Sequence, residues 1–76
     1  MNDILELLKE IRPESDFAQS EDFLNDGLLD SFDVVTLVAA LDSKYNISIE
    51  GIEIIPENFS NVEQISALLI KHGVKF

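Results

Sequence analysis

The chain has 76 residues, of which 46% are hydrophobic and 26% charged, a balance typical of a single globular domain over residues 1–76. A domain of this size buries only about 60% of the surface that its unfolded chain exposes, which leaves little room for a deep catalytic cleft and argues against an enzyme. The chain has no cysteine, which excludes disulfides, thiolate metal sites and a thiol nucleophile of its own, and which fits a cytoplasmic protein.

The charge is strongly negative and unevenly distributed. Fifteen acidic residues against five basic ones give a net charge of −10, and residues 14–57 hold eleven of the acids and one base. Such a surface repels nucleic acid and anionic lipid. The sequence begins without a basic region, and its longest apolar run, residues 34–41, is interrupted by Thr36, so we expect no signal peptide and no membrane insertion.

The first predicted helix covers residues 3–11, where Ile4, Leu7, Leu8 and Ile11 recur at helical spacing between charged residues. Pro13 disfavours helical geometry at the residue before it, so the helix ends there. Residues 13–30 are too acidic and irregular to continue any period and are predicted to form a long loop. Four apolar residues are expected to fix this loop to the core: Phe17, Phe23, Leu28 and Leu29.

The strongest predicted helix covers residues 31–45, in which five apolar residues share one face: Val34, Leu37, Val38, Leu41 and Tyr45. Asp30 is a good N-cap, and Asp33 adds a second carboxylate in the first turn, where the helix terminus favours anions.

The remaining elements are shorter. Residues 47–55 alternate like a strand but have no second strand to pair with, so they are interpreted as an extended loop. Residues 56–59 favour a short helical turn that begins with proline. A last helix contains Val62, Ile65, Leu68 and Leu69 and ends before Gly73. These elements predict an all-α fold.

The helix over residues 31–45 also carries a second apolar face, formed by Phe32, Val35 and Ala39. These residues are either ordinary exposed apolar side chains or a docking surface for a partner with a basic rim. The residues that we expect to bind a partner are Asp30, Phe32, Asp33, Val35, Thr36 and Ala39.

Residues 22–33 allow a calcium-binding interpretation. Six of them match the positions of a calcium loop: Asp22, Asp26, Gly27, Leu29, Asp30 and Asp33. The pattern fails at its third position, where Leu24 replaces an oxygen donor, and it ends in an aspartate instead of a bidentate glutamate. Specific calcium binding is therefore disfavoured.

Nucleophilic catalysis by Ser31 would need a histidine held nearby as a general base. The single histidine, His72, lies in the last turn of the last predicted helix, where a cation at the helix C-terminus is the simpler role. No catalytic site is expected.

The third interpretation is a modification site. The hexapeptide of residues 27–32, Gly-Leu-Leu-Asp-Ser-Phe, precedes an acidic residue and an apolar helix, and it resembles the attachment motif of the acyl carrier protein family. The usual Asp-Ser-Leu of that motif reads Asp-Ser-Phe here. The resemblance extends over nearly the whole chain, from the first amphipathic helix through the long loop and the serine-led helix to the final helix.

The resemblance implies a small four-helix bundle of three main helices and one short one. It implies that Ser31 receives 4'-phosphopantetheine from coenzyme A through a separate phosphopantetheinyl transferase, and that acyl groups are carried as thioesters on the arm. The other expected partners are an acyl- or aminoacyl-loading ligase and downstream transferases, with the chain acting as a monomeric, non-catalytic tether.

The motif is compatible with two classes of cargo, acyl chains and aminoacyl groups. The motif also resembles that of free-standing D-alanyl and other aminoacyl carriers, and Thr36 and Lys44 stand where carriers for fatty acid synthesis often have acids. Five residues are expected to line the space beneath Ser31: Leu29, Val34, Val38, Phe59 and Ile65. Bulky Phe59 favours a short or polar cargo. An unmodified acidic adaptor that binds a partner through Phe32 and Val35 is the remaining alternative.

Overall fold

The computed structural model describes residues 2–75, which form three α-helices and three short 3-10 helices. The α-helices are α1 (Asn2–Ile11), α2 (Ser31–Tyr45) and α3 (Val62–Lys71). The 3-10 helices are Phe17–Gln19, Gly51–Glu53 and Pro56–Asn58. No strand occurs among these described residues, so the predicted all-α class is confirmed, and the short turn predicted after residue 55 is a single 3-10 turn.

Helix α1 is amphipathic, as its sequence predicts. Ile4 and Leu8 are fully buried, and Leu7 and Ile11 are half-buried on the same side. The helix ends at Ile11 because the proline at position 13 disfavours helical backbone before it. Its buried face packs against both α2 and α3.

Helix α2 has the bounds that the sequence predicts, because both of its ends carry specific caps. At its start, the Asp30 carboxylate accepts the Asp33 backbone N–H at 2.9 Å, and the Asp33 carboxylate accepts the Asp30 N–H at 3.1 Å. This reciprocal capping box satisfies two N–H groups that the helix itself cannot. At its end, Asn46 adopts left-handed geometry with φ of 54°, which asparagine tolerates better than most residues.

The core is one contiguous cluster to which every α-helix contributes. It consists of Ile4, Leu8, Phe17, Phe23, Leu29, Val34, Leu37, Val38, Leu41, Ile49, Phe59, Ile65, Leu68 and Leu69. All of the core residues predicted for the helices and the long loop belong to this cluster or pack against it. Burial of these side chains is the main stabilising contribution to the fold.

The long loop between α1 and α2 is ordered by two phenylalanines, as predicted. The rings of Phe17 and Phe23 meet edge to face with centroids 5.0 Å apart, a favoured aromatic geometry. The Phe23 N–H donates to the Ser60 carbonyl at 2.6 Å, and the Phe23 carbonyl accepts from Leu28 and Leu29. The residues just before Ser31 are therefore anchored to the core.

The segment between α2 and α3 is a loop and not a strand, as predicted. The Ile49 N–H donates to the Asp42 carboxylate at 3.0 Å, which ties the segment to α2. The Asn58 side chain donates to the Glu53 carbonyl at 2.8 Å, which joins the two 3-10 turns.

Helix α3 is preceded by an asparagine cap and is followed by a glycine two residues after its last residue. The Asn61 side chain accepts the Gln64 N–H at 2.9 Å, and Gly73 has φ of +90°, a conformation that favours glycine. Within residues 2–75, no helix combines the length and the apolar character that crossing a bilayer requires.

Candidate functional site

Ser31 is the first residue of α2 and is exposed to solvent. Its position is fixed from both sides, because Asp30 before it and Asp33 after it form the capping box. The preceding turn also contributes, since Gly27 has φ of +76°, and glycine adopts this value at little cost. The chain thus presents a serine hydroxyl on a rigid helix start.

Arg12, in the turn after α1, closes this arrangement with a network of ion pairs. Its Nε donates to Oδ2 of Asp33 at 2.8 Å, and a terminal nitrogen lies 3.4 Å from Oδ2 of Asp30. Its other terminal nitrogen lies 3.3 Å from Oε1 of Glu14. We call Arg12, Asp30 and Asp33 the cap network. It joins the end of α1 to the start of α2, beside Ser31.

Contacts within the cap network favour the charged forms of Asp30 and Arg12. The pKa of Asp30 is lowered, mainly because its carboxylate accepts the Asp33 backbone N–H and further because Arg12 is close. The pKa of Arg12 is raised, mainly because its guanidinium donates to the Asp33 carboxylate. Both shifts favour the ionised forms, so the serine lies next to fixed charges at neutral pH.

An open groove of about 270 Å³ lies beside Ser31. It is lined by Leu24, Ser31, Val34, Val35, Ile54, Ile55 and Pro56. One wall comes from the first turns of α2 and the other from the segment between α2 and α3. The groove is mostly apolar, so it suits a thin, flexible group that extends from the serine oxygen.

The five residues that we expected to line the space beneath Ser31 all belong to the buried core. Of the five residues predicted, only Val34 lines the groove. The other four, Leu29, Val38, Phe59 and Ile65, belong to the core, and Phe59 and Ile65 are fully buried. The groove shares Val34 with the core cluster, and Leu24 and Ile54 in its lining pack against that cluster.

A second and larger groove, of about 540 Å³, lies away from Ser31. It runs between α1, the first 3-10 turn and the start of α3, and Leu5, Phe17 and Val62 contribute its apolar lining. The exposed serine lines the smaller groove and directly follows Asp30 of the cap network, so the smaller groove is the better candidate for chemistry.

The second apolar face of α2 is exposed, as predicted. Phe32 is 84% exposed and Val35 61% exposed, and Ala39 is also exposed. Thr36 is exposed, and its hydroxyl donates to the Phe32 carbonyl at 3.0 Å. Val35 also lines the groove beside Ser31, so this face and the groove are continuous.

The two predicted acidic contact residues differ in accessibility. The Asp30 side chain is 57% exposed, whereas that of Asp33 is only 15% exposed and is held by Arg12. Asp30 is thus the more accessible carboxylate for a partner, while Asp33 mainly holds the helix start together.

The sequence-based prediction missed Arg12 and most of the groove wall formed by Leu24, Ile54, Ile55 and Pro56. A signal for Arg12 was present, because it is the single base between Lys9 and Lys44 in a strongly acidic stretch. The apolar residues at 52–55 also exceeded what a solvated loop needs, and Ile52 is 82% exposed.

The carboxylates of the calcium interpretation engage separate partners. Asp26 accepts the Ser20 hydroxyl at 2.6 Å, and Asp22 accepts the Asn25 N–H at 3.2 Å. Within residues 2–75, no three histidine, aspartate or glutamate side chains form a group that could hold a metal ion.

His72 lies at the end of α3 and contacts the loop that follows α2. Its Nε2 is 2.7 Å from Oε2 of Glu53, and this hydrogen bond is the main reason why the pKa of Glu53 is lowered. His72 is therefore committed to Glu53, and the structure does not bring it to Ser31 as a general base.

No protein-family model, curated protein or solved structure matches this chain. The site is therefore interpreted from its geometry. That geometry combines an exposed serine hydroxyl at a capped helix start, a cation held beside it, and an apolar groove that begins at the same residue.

Proposed function

We propose that this protein is a carrier protein of the acyl carrier protein type, with Ser31 as the attachment site of 4'-phosphopantetheine. The observation that supports this most directly is the place of Ser31, exposed at the first position of α2 and at the mouth of an apolar groove. The motif of residues 27–32 supports the same assignment.

The chain's own residues fit such a modification. Ser31 supplies the nucleophile: its hydroxyl oxygen bonds to the phosphorus next to the pantetheine part of coenzyme A. The bond from that phosphorus to the bridging oxygen breaks, adenosine 3',5'-bisphosphate leaves, and the hydroxyl proton passes to a base of the transferase. The start of a helix favours the anionic phosphodiester that results.

Once attached, the arm would supply the thiol that this cysteine-free chain lacks, and acyl or aminoacyl groups would be carried on that thiol as thioesters. The residues of the groove, among them Val34, Val35 and Ile55, would shelter the apolar part of the arm. The chain itself performs no catalysis in this proposal.

In this proposal the fold is a small four-helix bundle in which α1, α2 and α3 are the main helices. The turn Pro56–Asn58 takes the place of the short helix. Its first residue, Pro56, lines the groove, and the turn precedes Phe59, which is fully buried, so it is anchored to the core.

The proposed partners are a phosphopantetheinyl transferase, a loading ligase and downstream transferases, which meet the chain as a cytoplasmic monomer. Asp30 is exposed and ionised, and the second apolar face lies beside it. A partner with basic residues around an apolar pocket would match both features, because charge speeds the encounter and buried apolar area holds the complex.

The packing of the core favours short or polar cargo, including an aminoacyl group. Phe23 and Phe59 are fully buried, so a long chain would have to displace them. Opening a packed core costs about 1–3 kcal/mol, which an aliphatic chain offsets at about 0.8 kcal/mol per buried methylene. A short or aminoacyl group lacks the methylenes to do so and would stay in the outer groove.

Intact mass spectrometry tests the proposal. We would incubate the chain with coenzyme A, magnesium and a broad-specificity phosphopantetheinyl transferase. The wild type should gain the mass of one arm and Ser31→Ala should gain none. Ser43→Ala, which removes an exposed serine from the same helix, is the matched control and should be modified like the wild type.

An unmodified wild type would overturn the carrier proposal and favour the acidic adaptor. Modification of Ser31→Ala would also overturn the assignment of the site. The mass of the thioester carried by protein isolated from its native cell would then identify the cargo, and long saturated chains would contradict the preference for short groups.

A further inference from the structure

Arg12 holds an unusual place in this strongly acidic chain. It contacts Asp30 and Asp33, the residues on either side of the Ser31–Phe32 pair, at 3.4 and 2.8 Å. The other bases, at 9, 44, 71 and 75, have no ion pair with Asp30 or Asp33 among the contacts that involve residues 2–75. Arg12 is thus the cation that balances the charge of the helix start.

An anion attached to Ser31 would enter a site that already holds two carboxylates. Negative charges that lie close together repel each other even in water. The helix terminus offsets part of this repulsion, but the capping box already uses that terminus to bind Asp30. A nearby cation is needed to balance the added charge.

We propose that Arg12 is a positioning residue that compensates the charge of an anion attached to Ser31, an inference that rests on the proposed attachment at this serine. In this role the Nε atom of its guanidinium anchors the group, and the two terminal nitrogens bind the anion. Nε is held by Asp33, whose side chain is only 15% exposed, and anchors the group. The terminal nitrogens make longer contacts, at 3.3 and 3.4 Å, to the exposed carboxylates of Glu14 and Asp30.

The weaker contacts allow the terminal nitrogens to exchange a carboxylate for a phosphodiester oxygen while Nε stays on Asp33. An arginine suits this because it presents several donors in one plane. The exchange would hold the first atoms of the arm close to α2.

A double-mutant cycle tests the compensation without any modification. Ser31→Glu places one negative charge at the site, as a phosphodiester would, and Arg12→Gln removes the cation. Urea denaturation gives the unfolding equilibrium constant of the wild type, both single variants and the double variant. We expect Ser31→Glu to raise that constant about threefold more in the Arg12→Gln background than in the wild type, the size of a good exposed ion pair.

Two further variants test whether the effect depends on a positive charge at position 12. Lys44→Gln makes the same change in net charge thirteen residues further along α2, about 20 Å away, and should combine additively with Ser31→Glu. Arg12→Lys keeps the positive charge, so Ser31→Glu should raise the unfolding equilibrium constant in this background nearly as little as in the wild type. In about 1 M salt, where the screening length falls to about 3 Å, the Arg12 coupling should shrink.

Additive effects of Arg12→Gln and Ser31→Glu would overturn the proposal, and so would an equal coupling in the Lys44 cycle. The same comparison between unmodified and modified protein should show that the arm destabilises Arg12→Gln about threefold more than the wild type, and an equal effect in both would also overturn it. If the wild type takes up no arm, the proposed function fails, while the Ser31→Glu cycle still decides the role of Arg12.

Discussion

Helix α2 has two apolar faces with similar residues and opposite environments. On the core face, Leu37 and Leu41 are fully buried, whereas on the second apolar face Phe32 is 84% and Val35 61% exposed. The core face is covered because α1 packs against it and the ordered loops complete the cluster. The second face begins in the first turn of the helix, beside Ser31. Hydrophobicity alone therefore does not separate residues that stabilise the fold from residues available to a partner, and neighbouring elements decide which is which.

The largest expected effect comes from truncation on the core face. Leu41→Ala should lower the free energy of unfolding by about 2–5 kcal/mol, because it removes buried methyl groups and leaves a cavity in a packed core. Urea denaturation followed by circular dichroism measures this. Val35→Ala, which shortens an aliphatic side chain on the other face, is the control and should stay within about 0.5 kcal/mol of the wild type. Equal losses in the two variants would contradict the assignment of the faces.

The bounds of α2 could be predicted from the sequence because two local signals agree there. Asp30 and Asp33 form the cap at the first residue, and the apolar period runs without a break to Tyr45. Signals of this kind depend on residues three or four positions apart. The anchoring of the long loop by Phe17 and Phe23 was predictable from the length of the loop, since so long a loop in a compact domain needs apolar residues that fix it to the core.

The groove and the cap network could not be predicted in the same way, because they depend on contacts between distant residues. Arg12 and Asp33, which form a hydrogen bond, are 21 positions apart in the sequence. Ile54 and Ile55 line the same groove as Val35, which lies about twenty positions earlier. The sequence supplied the residue types but not the path of the loop after α2. Along that path Ile54, Ile55 and Pro56 line the groove, whereas Phe59 is fully buried.

The core also contains one polar group whose removal should increase stability. Ser66 is only 3% exposed, and its hydroxyl has no hydrogen-bond partner in the part of the chain that the structure describes. Ser66→Ala should raise the free energy of unfolding by about 1 kcal/mol, because a buried and unsatisfied hydroxyl carries a desolvation penalty. The measurement is again urea denaturation.

Ser43→Ala is the matched control for this prediction, because it makes the same change at an exposed position of α2. It reports the gain in helix propensity alone. A Ser66→Ala variant no more stable than Ser43→Ala would show that the Ser66 hydroxyl is satisfied.

The loop that forms the far wall of the groove should respond to acid through Glu53. The pKa of Glu53 is lowered below its ordinary value of 4.5, mainly by the hydrogen bond with His72. A carboxyl group whose pKa is lower in the folded state stabilises the fold above its unfolded pKa, and this contribution is lost as the pH falls through the folded value. The wild type should therefore be more stable than Glu53→Gln at pH 7, with the difference shrinking below about pH 4.5.

Glu50→Gln provides the comparison for the acid response, since Glu50 is exposed and lies in the same loop. Thermal denaturation of the three proteins across this pH range measures the effect. A Glu53→Gln variant that keeps the full acid dependence of the wild type would show that the contact with His72 does not contribute to it.

The smallest change in stability is expected on the second apolar face, together with a clear change in partner binding. Phe32→Ala should alter the free energy of unfolding by less than about 0.5 kcal/mol, because the ring is already 84% exposed in the folded chain. If the ring enters a pocket of the transferase, its loss should raise the KM for modification of Ser31 by about tenfold, the effect of removing an apolar anchor of at least 1 kcal/mol. Modification kinetics with coenzyme A and magnesium measure this.

Ile70→Ala is the matched control for Phe32→Ala, because Ile70 is also an exposed apolar side chain, 58% accessible, but lies on α3. Its KM should equal that of the wild type. If Phe32→Ala unfolds the chain, the ring supports the fold and the face is not free for a partner. If Phe32→Ala and Ile70→Ala raise KM equally, the transferase does not distinguish the second apolar face of α2 from other exposed apolar side chains. A KM that rises for Phe32→Ala and not for Ile70→Ala would instead show that a partner binds the second apolar face of α2, which α1 and the core leave exposed.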